Sequence, residues 1–215
     1  MRAATALSLA FVFVLATACG GGGSSGGGTT TGGGTGGGGG GGGGVAPPGA
    51  SMTTAEEQLG MDALTAINNH RASVGGLPAL QWYAGGADVA YAHCVAMEAG
   101  GWFAHQNPST GSTPARRSAD AGIAHDPQGS IEPGTGLPFV GENLASATGF
   151  PSVTYTGQQA VDGWIASPGH LAQIVAPNNV NGVGSMPAWT HCTIGVRVTT
   201  TQVWYTAMFW RNPTP

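Results

Sequence analysis

The chain holds six histidines, three cysteines, ten carboxylates and six arginines, and it has no lysine. Three of these side chains each neighbour Gly, Pro or Ala: His105 in Phe103-Ala104-His105, Glu142 in Gly141-Glu142-Asn143-Leu144-Ala145, and His170 in Trp164-Ile165-Ala166-Ser167-Pro168-Gly169-His170. Two imidazoles can share a divalent ion, and a carboxylate can join them as a ligand or orient one of the rings. The alternative is a structural network in which Glu142 accepts from an imidazole. Ser167 and His170 lie three apart, a spacing that invites a hydrolase reading. Ser167, however, precedes Pro168 and reads as a helix N-cap, which would occupy its hydroxyl. There is no G-x-S-x-G elbow and no H-E-x-x-H pair, so no catalytic residue is assigned. Glu142-Asn143 also admits a plainer reading, a buried turn whose side chains bond to backbone.

The elements that must position these groups are legible from capping and periodicity. Thr53-Thr54-Ala55-Glu56-Glu57 holds two overlapping capping boxes and predicts a helix ending near Ser73, with Leu59, Ala63, Ala66 and Ile67 inward. His70 and Arg71 then close that helix. A second helix is expected over about 86–99, closed by Gly100-Gly101, with Ala90, Cys94 and Met97 inward. His93 reads as a core-edge residue on it. Residues 106–140 read mostly as loop, with a short helix near 114–121. In that segment Arg116 and Arg117 suit an ion pair beneath the loop, with a contact to a ligand carboxylate as the alternative, and His125 with Asp126 is an outlying polar candidate. His191 carries no readable role. Helices follow at about 158–166 and from Ser167-Pro168 onward. His170 then falls in a first helical turn, whose positive end keeps the ring neutral. The tail alternates with period two, which predicts antiparallel strands over 194–201 and 202–210 and a third candidate over 180–186. Trp204, Tyr205, Phe209 and Trp210 should alternate, two toward the core and two outward. Helices first and strands last give an α+β class.

The rest of the chain sets the context. Residues 20–44 contain only Gly, Ser and Thr, 19 of them Gly, without the period of collagen. A Gly-rich tract of this length has a root-mean-square span of about 25–30 Å and reads as a tether. Before it, Arg2 and the short apolar run Leu7–Ala16 form an export leader too short to span a membrane. Leu15-Ala16-Thr17-Ala18-Cys19 resembles a bacterial lipoprotein signal, with Cys19 the lipidated residue, although its Leu lies one position early. The expected layout is a signal peptide over 1–18, a lipidated Cys19 with linker over 19–50, and a domain over 51–215. The formal charge of −4 and the absence of a basic run argue against nucleic acid as a partner. Cys94 and Cys192, an even pair in an exported domain, read as one disulfide, with two buried free thiols as the alternative.

Together with Asn69-His70-Arg71-Ala72-Ser73-Val74-Gly75-Gly76-Leu77-Pro78-Ala79-Leu80-Gln81-Trp82, the three stretches above resemble the CAP superfamily (cysteine-rich secretory, antigen-five and pathogenesis-related proteins), nearest its bacterial secreted branch. The resemblance spans roughly 54–211. It implies an α–β–α sandwich with a central cleft lined by His105, Glu142 and His170. Many eukaryotic members carry a second cleft glutamate three residues after the residue matching Trp164; here that position is Ser167. The resemblance therefore implies a cleft that binds a ligand at the cell envelope (a lipid, a sterol or an envelope polymer), with a divalent metal, zinc foremost, held weakly by His105, His170 and Glu142. A metal-assisted or acid–base hydrolase and a structural or adhesive surface protein are the alternatives. The expected protein is a monomer held at the membrane by its lipid.

Overall fold

The computed structural model describes residues 51–126, 128–149, 155–177 and 187–215. Helix α1 spans Thr54–Ser73, strand β1 Gln81–Trp82, α2 Ala87–Gly100, α3 Pro114–Asp120, β2 Gly141–Thr148, α4 Gly157–Ile165, α5 Pro168–Ile174, β3 His191–Val198 and β4 Gln202–Trp210. The four strands form one sheet in the order β1-β3-β4-β2, with β1 parallel to β3 and the other pairs antiparallel.

The helix ends follow the chemistry of their caps. Of the two capping boxes, Thr53/Glu56 is the one used: the Glu56 carboxylate accepts from the Thr53 backbone N–H at 2.9 Å, and the Thr53 hydroxyl accepts from the Glu56 N–H. Helix α2 ends on Gly101 in the left-handed region, where a Cβ would be strained. Helix α4 starts with its own box, Thr156/Gln159. Ser167 does occupy the N-cap of α5 with Pro168 next, but its side chain makes no cap hydrogen bond. Position alone, with proline's fixed φ, starts that helix, and the expectation that the cap uses the Ser167 hydroxyl is corrected.

Helices cover both faces of the sheet. Ala63 and Ile67 of α1 and Ala160, Val161 and Trp164 of α4 pack on Ile194, Val196, Tyr205, Ala207 and Phe209. On the opposite face, Ala90 of α2 meets Met208 and Trp210, while Cys94 and Met97 meet Leu144 and Trp204. This is the α–β–α sandwich. Gly195 lets α2 approach, since a Cβ there would overlap the Ala90–Tyr91 backbone.

Three expectations change. The strand beginning at Gly141 was not foreseen as a strand: its eight residues pair along their whole length with β4, from Gly141 opposite Phe209 to Thr148 opposite Gln202. The aromatic residues of β4 alternate as expected, but none faces outward, because both sides of the strand are roofed by helices. The disulfide is absent. Cys94 and Cys192 are free and buried, and the sheet lies between them: Cys192 packs in the α1–α4 core and Cys94 in the α2 core. The Cys94 thiol is instead within hydrogen-bond reach of Gly195 O, at 3.4 Å, and of the Thr206 hydroxyl, at 3.2 Å. The candidate strand over 180–186 lies outside the described residues.

Candidate functional site

The site is built around the first residues of β2, an edge strand. Strand alternation sends Glu142 to the α2 face of the sheet and Asn143 to the α5 face. The two histidines reach this edge from opposite sides, His105 from the segment after α2 and His170 from α5. Their ring centroids are 6.4 Å apart. The structure thus brings together His105, Glu142 and His170, the three residues singled out by motif.

Glu142 is buried, and its carboxylate is shared. Arg117 of α3 donates to Oε2 through Nη2. His105 Nδ1 lies 2.9 Å from Oε1, and His93 Nε2 lies 3.9 Å from the same oxygen. Burial alone would push this carboxyl up; Arg117, His93 and His105 outweigh that effect and hold it at about 2. It is ionised at neutral pH and can only accept. His105 Nδ1 must therefore carry a proton, and in the neutral ring this leaves Nε2 as a bare lone pair. That Nε2 is buried and has no hydrogen-bond partner.

His105 is fixed through its backbone as well. Arg117 Nη1 donates to His105 O at 3.0 Å and to Ser112 O at 3.1 Å. His93, 99 % buried on α2, is pushed down to about 4 by desolvation first of all, so its ring is neutral. Its Nε2–H donates to Ala104 O at 3.0 Å, one residue before His105. Three side chains on three elements, Glu142, Arg117 and His93, thus converge on His105 and the peptide before it. Asn143 makes the matching contact on the other side of the strand, donating to His170 O at 3.0 Å. This agrees with the backbone-bonding role foreseen for Asn143, but from a strand rather than a turn, and Glu142 makes no such bond.

Further buried polar atoms without a hydrogen-bond partner gather on the α5 face of this strand end: Asn143 Oδ1, Gln173 Oε1 and Trp189 Nε1. Gln173 lies one turn beyond His170. Gln173 Oε1 and the Trp189 ring both crowd the position where Gly141 has no side chain. Motif reasoning missed Gln173 and Trp189. The spacing of Gln173 from His170 was available as a signal, whereas nothing in the sequence marks Trp189.

Other residues fall elsewhere. Arg116 pairs with Asp120 at 2.8 Å on the surface, so of the two arginines only Arg117 makes the ion pair under the loop. Arg71 is buried and donates to Pro78 O at 2.9 Å and Ile174 O at 2.7 Å, tying the end of α1 to the end of α5. His191 pairs with the Thr190 hydroxyl at 2.8 Å, and Asp126 pairs with Arg211.

The donor set fits a divalent ion only in part. His105 has the form of a metal-binding imidazole, with Nδ1–H given to a carboxylate and Nε2 bare. Glu142 does not have the form of a ligand, because both its oxygens are committed to Arg117 and His105. Among the described residues no group of three His, Cys, Asp or Glu is arranged to hold a metal. Glu142 is thus the group that orients the ring.

An edge-strand carboxylate that orients an imidazole, between helices that cover both faces of a four-stranded sheet, defines a CAP-type domain. The model of the cysteine-rich secretory protein family matches residues 64–200, and the chain belongs to that family. Two solved structures share the fold. One is an extracellular protein containing an SCP domain from Bacillus anthracis, 24% identical with a TM-score of 0.51. That likeness covers 76% of this chain and 45% of the Bacillus protein, so the chain spans less than half of it. The other is an outer surface protein of Borrelia burgdorferi, 15% identical with a TM-score of 0.51, covering 76% of this chain and 98% of that one. No curated protein matches the chain.

Proposed function

We propose that this is an exported CAP-domain protein, anchored by a lipid on Cys19 and held off the membrane by the Gly/Ser/Thr tract, whose His105–His170 cleft binds a ligand at the cell envelope. The observation that carries the ligand reading is His105 Nε2, a buried acceptor with no protein partner on a ring fixed at Nδ1 by Glu142. Leaving such a group unmatched costs about 1–3 kcal/mol, so selection for a partner outside the protein accounts for a device that holds the lone pair in place. The partner is a group that offers a proton or an empty orbital: a hydroxyl or amide of a lipid, sterol or envelope polymer, or a divalent ion such as zinc. An ion would be held by His105 and His170, with Glu142 setting the His105 tautomer, and with two protein ligands it would bind weakly. Bound there, it would supply Lewis acidity. The leader sequence and the family support export.

Calorimetric titration of zinc chloride into the metal-stripped protein, beside the His105→Ala/His170→Ala variant, separates the two kinds of partner. Saturable heat lost in the variant supports the ion. No heat from either protein removes the ion and directs the search to hydroxylated and amide-bearing envelope components. Cell fractionation of Cys19→Ser tests the anchor: release of the protein from the membrane fraction supports it, and unchanged retention contradicts it.

A further inference from the structure

Away from the His105–His170 pair, a pocket of about 340 Å³ opens between α3 and the loops around it, lined by Thr110, Gly111, Ser112, Thr113, Arg116, Asp120, Thr135 and Leu137. Its size is at the small end of the roughly 300–1,000 Å³ of ligand pockets. Its wall is built of hydroxyls. The Thr113 hydroxyl donates to Glu132 Oε2 at 2.6 Å and the Thr135 hydroxyl donates to the same oxygen at 3.0 Å. Their protons are committed, and each also accepts a backbone N–H at 3.2 Å, Thr113 from Arg116 and Thr135 from Leu137, so each oxygen keeps one lone pair to offer. The Ser112 hydroxyl is buried and has no hydrogen-bond partner. Among the described residues the one cation of the lining is Arg116, which is closed onto Asp120, so the pair carries no net charge. Glu132 stands behind two of the threonines and repels an anion. Leu137 supplies one apolar patch.

We infer that this pocket is a binding site for a neutral sugar unit, independent of what the His105–His170 cleft holds. A sugar presents hydroxyls that donate to the Thr113 and Thr135 oxygens and to Asp120. The same hydroxyls accept from the Arg116 N–H groups that Asp120 leaves over, and a C–H face can rest on Leu137. A phosphate, sulfate or carboxylate would meet a wall already neutralised, with a carboxylate behind it. The pocket also joins the first site through one guanidinium, because Arg117 Nη1 donates to Ser112 O on the pocket wall and to His105 O. A glycan chain with a unit in the pocket would lie near the peptide that positions His105.

The test is backbone amide shift mapping of the purified protein with the neutral trisaccharides of glucose, mannose and N-acetylglucosamine, and with inorganic sulfate. The inference expects at least one trisaccharide to move the amides of Thr110–Thr113, Arg116, Asp120 and Thr135 saturably. Affinity should fall about tenfold in Arg116→Ala/Asp120→Ala, one charge-assisted contact's worth, and should not change in His105→Ala/His170→Ala. The Arg116 side chain is more than half exposed, so the double variant keeps the fold. Saturable shifts from sulfate alone would overturn the inference in favour of an anion site. Absence of shifts from all three sugars, or shifts unaltered in Arg116→Ala/Asp120→Ala, would also overturn it.

Discussion

Arg117 and His105 are joined through both the backbone and a shared carboxylate: one guanidinium nitrogen of Arg117 donates to His105 O, and another donates to Glu142, which accepts the hydrogen bond of His105 Nδ1–H. A seven-residue helix in an otherwise loop-rich segment therefore sets the position and the tautomer of the imidazole.

Removing Arg117 should be costly. Arg117→Met leaves the Glu142 charge buried with only imidazole contacts, and breaking a buried pair from one side costs about 3–5 kcal/mol. Adding Glu142→Gln to that variant removes the stranded charge. The double variant should recover part of the loss, which chemical denaturation of the four proteins in the cycle will show.

Acid should unfold the domain in two windows. His93 has a folded value near 4, below its ordinary 6.5. The unfolded chain binds its proton first, so this stabilisation is complete above pH 6.5 and is lost as pH falls toward 4. Glu142 has a folded value near 2, below its ordinary 4.5. Its stabilisation is complete above pH 4.5 and is lost as pH falls toward 2. Each shift corresponds to on the order of 3 kcal/mol. His93→Gln should flatten the stability profile between pH 7 and pH 4.5 and narrow the lower window, which Arg117 and His105 still support. Urea denaturation across pH measures both.

The thiols of Cys94 and Cys192 should be inert in the folded protein. Burial pushes the Cys94 thiol up to about 12 and raises that of Cys192 as well. Alkylation followed by peptide mapping should leave both unmodified in native protein and modify both after unfolding without reductant. A disulfide-linked peptide pair would contradict the free thiols.

Gly195→Ala should separate α2 from the sheet, because the added methyl meets the Ala90–Tyr91 backbone rather than a movable side chain. The expected loss is about 1–3 kcal/mol, read by thermal unfolding. The same variant should disturb the His105 resonances, since α2 carries His93.

Much of this was legible in the sequence. Caps and period located α1, α2, α4, α5 and the β4 strand because those signals are local: Thr53/Glu56, Gly100-Gly101, the face of Val161 and Trp164, Ser167-Pro168 and the alternation of 202–210 each lie within a few residues. The strand at Gly141 was hidden because its pairing runs from Gly141 with Phe209 to Thr148 with Gln202, far along the chain, and because Leu144 is its one large core residue beside Ala145 and Ala147, which carry little strand signal. The disulfide reading failed for a related reason. Parity and compartment say that two cysteines can pair, whereas only the layering of the fold shows that a sheet lies between them. The motif residues His105, Glu142 and His170 did converge. Their division of labour depended on Arg117, because a carboxylate already held by a guanidinium orients a ring instead of binding an ion.

The central claim is that Glu142 fixes His105 with its proton on Nδ1 and leaves Nε2 bare. Long-range ¹H–¹⁵N correlation of the imidazole side chains at neutral pH reads this directly. The account predicts a His105 ring with a protonated Nδ1 and an unprotonated Nε2, and loss of that fixed tautomer in Glu142→Ala. A His105 ring protonated on Nε2, or one exchanging between tautomers in the unaltered protein, would contradict it.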